Sequence, residues 1–145
     1  MANFNTEGLG NQPLKVGLMA RMIGPITTPA AAGGAGVAAA TKVTDTVVCG
    51  EIYGVVIQYN DAPPAATTDV GIKTKGASGV TPSFNILTIS NAATDGYFCP
   101  RSACVTAANA AITNSFAPFM VNDYIQLDIA GANDGDSVSI WLMVE

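Results

Sequence analysis

The clearest alternation lies near the end of the chain. Ile125, Leu127 and Ile129 fall on one side of an extended backbone and Tyr124, Gln126 and Asp128 on the other. That two-residue period belongs to a strand with one buried face. Ala130-Gly-Ala-Asn-Asp-Gly-Asp136 interrupts it with turn residues. The pattern resumes with Val138, Ile140, Leu142 and Val144 set against Ser137, Ser139, Trp141 and Met143. Two alternating runs around such a turn predict a β-hairpin. Shorter runs precede them at Val43–Cys49, Glu51–Tyr59, Val70–Lys75, Phe84–Ser90 and Tyr97–Cys99, parted by Pro-, Gly- and Asn-rich stretches. Residues 101–118 are ambiguous, since Ala107 to Ala111 suit a helical turn while Pro118 and the Asn and Thr residues suit an irregular crossing. No stretch sustains a 3.6-residue period. The prediction is an all-β sandwich, with enough short strands for a jelly roll.

Ahead of this body, residues 1–42 read as an extended N-terminal arm and connector, and residues 43–145 as the sandwich. Val16, Leu18, Ala20 and Met22 alternate as on a strand, and Leu14, Ile23 and Ile26 add apolar surface. Burying these side chains gains ~1.5–3 kcal/mol each. Ordering the backbone costs ~1–2 kcal/mol per residue, so burial alone does not hold the arm. Pairing on a sheet edge supplies the missing backbone hydrogen bonds. Leu14, Val16, Leu18, Met22, Ile23 and Ile26 are therefore the candidate interaction residues of the arm. The expected dock is a neighbouring subunit or another protein, with the body folding without residues 1–26. Gly24 to Ala40, rich in Pro, Thr, Ala and Gly, reads as a poorly packed connector.

Charge and composition narrow the function. Of the 145 residues only 12% are charged, with a net charge of −5, six Lys plus Arg and no His. Few clustered cations argue against nucleic acid as a partner. Without His there is no His-dependent triad and no His-ligated zinc. Met22 to Thr41 is uncharged, but Pro25, Pro29 and the small residues do not suit a membrane span. The N-terminus has neither a basic region nor an apolar core of the secretory kind. Cys49, Cys99 and Cys104 then read as buried free thiols of a protein made in a reducing cytoplasm. A Cys99–Cys104 disulfide is the alternative.

Candidate chemistry is sparse. Asn133-Asp-Gly-Asp136 lacks the alternating ligands and closing Glu of a calcium loop, so it reads as a turn with Gly135 at positive φ. Ala32-Gly-Gly-Ala-Gly36 has no following Lys-Ser/Thr and is not a phosphate loop. Asp69, Asp95 and Asp123 stand in turn contexts where Asp bonds backbone N–H groups, and no pair of carboxylates is singled out. No catalytic residue, cofactor site or metal site is predicted. Trp141, Met143 and Tyr124 occupy nominally outer faces, as a contact surface does. They could equally lie under a second sheet or the arm, and a sugar ring stacking on Trp141 is a further use.

Two runs, Ile86-Leu-Thr-Ile-Ser-Asn-Ala-Ala-Thr-Asp-Gly-Tyr-Phe-Cys-Pro-Arg101 and Val121-Asn-Asp-Tyr-Ile-Gln-Leu-Asp-Ile-Ala-Gly-Ala-Asn-Asp-Gly-Asp-Ser-Val138, resemble the jelly-roll decoration, or cement, proteins of tailed bacteriophages. The likeness spans roughly residues 50–145 and consists of strand and turn residues. It implies a non-enzymatic virion protein, made in the host cytoplasm and bound to the capsid exterior. The implied partners are the major capsid protein and further copies of itself, as a homotrimer, with arms reaching neighbours. Cys99 and Cys104 belong to no part of the shared pattern. Another virion part (tail, spike or fibre) and a carbohydrate-binding adhesive module are the competing expectations.

Overall fold

The computed structural model describes residues 20–60, 64–76, 83–91 and 94–145. Among them there are strands and turns but no helix. The strands are β1 (Arg21–Thr27), β2 (Ala38–Val43), β3 (Val48–Tyr59), β4 (Asp69–Thr74), β5 (Asn85–Ile89) and β6 (Gly96–Phe98), followed by β7 (Ser102–Val105), β8 (Ala111–Ala117), β9 (Phe119–Asp123), β10 (Ile125–Ala132) and β11 (Val138–Val144). One sheet runs β1-β11-β3-β6, with β9 also paired to β3. The second runs β2-β10-β4-β5, and β7 pairs with β8 alone. All pairings are antiparallel. The expected all-β sandwich is what forms.

Inward positions are the ones the alternation predicts. Ile125, Leu127, Ile129, Val138, Ile140, Leu142 and Val144 are all essentially inaccessible and share one core with Ile52, Val55, Ile57 and Ile72. Their partners differ from the prediction, because β10 and β11 do not form a hairpin. β10 lies between β2 and β4, whereas β11 lies between β1 and β3 in the other sheet. The Asn133–Asp136 turn, with Gly135 at φ +89°, carries the chain across the sandwich. Both strands keep their apolar faces inward in either arrangement, so alternation does not distinguish them. Val43–Cys49 is likewise not one strand: β2 ends at Val43 and β3 starts at Val48. Residues 102–117 form the β7–β8 hairpin, with no helical turn.

The expectation that the first 42 residues stay off their own body fails from Arg21 onward. β1 pairs with β11 from Arg21↔Val144 to Thr27↔Ser139, and β2 pairs with β10. Ile26, Ala31 and Ala38 are buried in the core. The cause is hydrogen bonding from a distant part of the chain. Asp134 Oδ1 accepts from the Gly33 and Gly34 N–H groups at 2.9 and 2.8 Å, and Asn133 Oδ1 accepts from Gly36 N–H at 3.1 Å. Ala31 exchanges backbone bonds with Gly135 and Asp136. Two sheet-crossing loops, β1–β2 and β10–β11, are thereby stacked on each other. The glycine-rich segment is a docked loop. Asp134→Ala should lower stability by about 1–3 kcal/mol, because charge-assisted bonds to two N–H groups are lost. Equilibrium urea unfolding measures this, and a change below about 0.5 kcal/mol would show that water replaces the carboxylate.

Candidate functional site

The outer faces of the two sheets differ in chemistry. On the β2-β10-β4-β5 sheet, Lys73 Nζ sits 2.9 Å from Asp128 Oδ2. Thr41 and Gln126 donate to the same carboxylate at 2.6–3.1 Å. Partial burial alone would raise the Asp128 pKa, but these donors and the Lys73 charge outweigh it and hold the group below its ordinary value. This face is polar and internally satisfied.

The outer face of the β1-β11-β3-β6 sheet is apolar and aromatic. Cross-strand register sets Trp141 beside Val56 and Val56 beside Tyr97, in one row over three strands. The adjacent row holds Met22, Met143 and Gly54. Met22, Val56, Tyr97 and Trp141 line a groove of about 540 Å³ together with Gln58 and Asp95. Met22 is 61% exposed and Tyr97 54%, while Trp141 and Met143 are half-buried. The Tyr97 ring lies directly over Gly54, where a Cβ would stand 2.5 Å from the Tyr97 hydroxyl oxygen and push the ring aside. The Tyr97 phenol titrates above its ordinary value, chiefly through a side-chain hydrogen bond with Cys99. Asp95 accepts from the Tyr59 N–H at 2.9 Å, which ties the groove rim to β3. Burial, and next the Asp95 charge, push the Tyr59 phenol up to about 12. Its hydroxyl has no hydrogen-bond partner among the described residues.

The structure gathers some of the predicted contact residues and separates others. Trp141, Met143 and Met22 meet on one face. Tyr124 is half-buried and directly precedes β10, in the opposite sheet, because the chain crosses the sandwich after Ala132. Ile26 is a core residue and Ile23 packs partly buried against the core, so neither is available to a partner as expected. Leu14, Val16 and Leu18 lie outside the described residues. Tyr97 and Val56 complete the face and were not anticipated. Their part in it depends on which strands pair, which a two-residue period does not specify.

A second uncovered region is the β7–β8 hairpin. Val105, Ile112 and Phe116 are exposed on it, as is Met120 on neighbouring β9. At its root, Phe84, Pro118, Phe119 and Met120 line a recess of about 460 Å³. Phe84 and Phe119 stack there, with ring centroids 5.8 Å apart.

Among the described residues no group of three or more His, Cys, Asp or Glu side chains could hold an ion. Asp69, Asp95 and Asp123 instead accept from backbone N–H groups, as their turn contexts predict, and Asp136 does the same. The three cysteines are free thiols, but the expectation of burial fails. Cys49 and Cys99 are exposed and Cys104 is half-buried, because none occupies an inward strand position. No helix among the described residues is long and apolar enough to cross a membrane.

No protein-family model matches the chain, and no curated protein matches it. Among solved structures, it is similar to two point variants of CBM29-2, a family 29 carbohydrate-binding module studied for ligand recognition. The identities are 16% and 14%, and the TM-scores 0.35 and 0.33. Each alignment covers 86% of this chain and 67% of the module's chain.

Proposed function

We propose that this chain is a structural subunit of a bacteriophage virion, seated on the outside of the capsid and bridging neighbouring major capsid proteins. The observation that carries the reading is the contrast between the two sheet faces. The Asp128 face is finished for solvent, whereas the Trp141 face leaves methionine and aromatic side chains uncovered on a complete sandwich. Apolar and aromatic surface of this kind suits a protein partner. The resemblance of residues 86–101 and 121–138 to decoration proteins supplies the identity of that partner. The strand order agrees with a jelly-roll layout of two four-stranded sheets, with β9 and the β7–β8 hairpin added. In this reading the role is non-catalytic and the protein is made in the host cytoplasm.

Immunogold electron microscopy of the parent virion tests the location. Label spread over the head surface is the expected result, and label confined to the tail or its fibres would overturn it.

A second reading, a glycan-binding adhesive module, is favoured by one feature. Trp141 and Tyr97 share a face on which Gln58 and Asp95 are placed to meet sugar hydroxyls. Glycan-array binding that disappears in Trp141→Ala would establish it.

A further inference from the structure

We propose that the groove between Trp141 and Tyr97 receives an arginine side chain of the protein that covers this face, its guanidinium set beside the two rings and against the Asp95 carboxylate. The proposal rests on the reading of this face as a protein contact, and it names the group the partner places there.

Register places Trp141, Val56 and Tyr97 side by side on β11, β3 and β6. Neighbouring strands lie about 4.8 Å apart, so the backbones that carry the two rings are separated by roughly 10 Å. Both rings lean aside from Val56. The Tyr97 ring lies over Gly54, two positions along β3, and Trp141 leans against Gly24 on β1, where a Cβ would stand 3.0 Å from indole Cδ1. Val56 is left as an open floor between two aromatic walls. A cation within about 6 Å of a ring centroid is attracted by the negative face of the ring.

Asp95 supplies the complementary charge. Its Oδ1 accepts from the Tyr59 N–H at 2.9 Å, which fixes the carboxylate, while Oδ2 has no hydrogen-bond partner among the described residues. Gln58, exposed beside it, is likewise unpaired among them. No Lys or Arg lines the groove. Arg21, next to Met22, donates to the Cys49 carbonyl, and Arg101 donates to the Tyr53 and Pro100 carbonyls. Among the described residues Asp95 therefore has no cation of its own chain to pair with. A positive group brought by another molecule meets a fixed acid and two aromatic rings in one groove.

Arginine suits this chemistry better than the alternatives. Its guanidinium is flat, weakly hydrated for a cation, stacks on aromatic faces, and carries five donors for carboxylate and amide oxygens. A lysine ammonium is compact and strongly hydrated, and it gains less from a ring face. The apolar stem of an arginine has Met22 and Val56 to lie on. A sugar needs partners for hydroxyls in several directions. Gln58 and Asp95 stand together beside the Ile57–Gly96 pair, at the opposite end from Met22, and Val56 between them offers no hydrogen bond.

Trp141 is the single tryptophan of the chain, so its fluorescence reports on the groove directly. The full-length protein is titrated with N-acetyl-arginine amide, with N-acetyl-citrulline amide as the uncharged isostere and cellotetraose as a sugar. A saturating change at millimolar concentration is expected with the arginine probe, and none with the other two. Asp95→Asn keeps an oxygen for the Tyr59 N–H and removes the charge, so the midpoint should rise more than about tenfold. Tyr97→Leu should raise it as well, whereas Tyr97→Phe keeps the ring and should leave it unchanged. No saturation by the arginine probe would overturn the proposal. So would equal binding of the citrulline probe, an unchanged midpoint in Asp95→Asn and Tyr97→Leu, or saturation by the tetrasaccharide alone, which the glycan reading predicts. Circular dichroism checks that each variant is folded, and Tyr97→Leu decides if Asp95→Asn is not. These titrations involve no virion, so their failure is distinct from a failure of the virion labelling.

Discussion

Leu127→Ala is expected to destabilise the protein by about 2–5 kcal/mol, the usual range for a leucine removed from a packed core. Leu127 is at 0% exposure in the middle of β10, paired with Lys42 on one side and Ile72 on the other. The smaller side chain leaves a cavity between two sheets whose backbones are held by hydrogen bonds on both sides, so the site collapses poorly. A domain of this kind has roughly 5–15 kcal/mol in total. The substitution therefore removes a large fraction of it. Thr88→Ala, on the exposed outer face of β5, should change stability by no more than about 0.5 kcal/mol. Urea unfolding of the two variants measures the difference. A loss below about 1 kcal/mol for Leu127→Ala would mean that the core closes over the missing side chain and that the buried face of β10 is loosely packed.

The same residues show what could be read from the chain and what could not. Which side of β10 and β11 faces inward follows from strand geometry, and Ile125 to Ile129 and Val138 to Val144 were legible for that reason. Their partners were not, because a two-residue period is identical in a hairpin and in a crossing between sheets. The glycines at 33, 34 and 36 lack apolar side chains, and composition alone makes them a connector. Their order comes from Asn133 and Asp134, about a hundred positions away. The β7–β8 hairpin is written mostly in Ala, Ser, Thr and Asn, and its few larger apolar residues, Val105, Ile112 and Phe116, do not make a sustained alternation. Half of the candidate site was accessible in this way. Trp141 and Met143 declare an outer apolar face by alternation, but Tyr97 joins them only through the pairing of β3 with β6.

Deleting residues 1–27 is expected to convert the protein into an aggregating species, although the arm looked dispensable from its composition. β1 covers one edge of β11, and its own Ile26 is only 7% exposed. Ordering seven strand residues costs ~1–2 kcal/mol each, comparable to the burial they gain, so direct energy loss is not the decisive effect. What matters is the strand left behind. Val138-Ser-Ile-Trp-Leu-Met-Val144 has no charge and no proline, with Val, Ile and Leu on one face and Trp141 and Met143 on the other. With β1 gone, its backbone N–H and C=O groups form an open edge flanked by apolar side chains. That is the signature of a segment that pairs with other copies of itself. The 1–27 deletion should scatter light and bind thioflavin within the same preparation. A soluble 1–27 deletion with an unchanged unfolding midpoint would show that β11 tolerates an open edge and that the sandwich begins at β2.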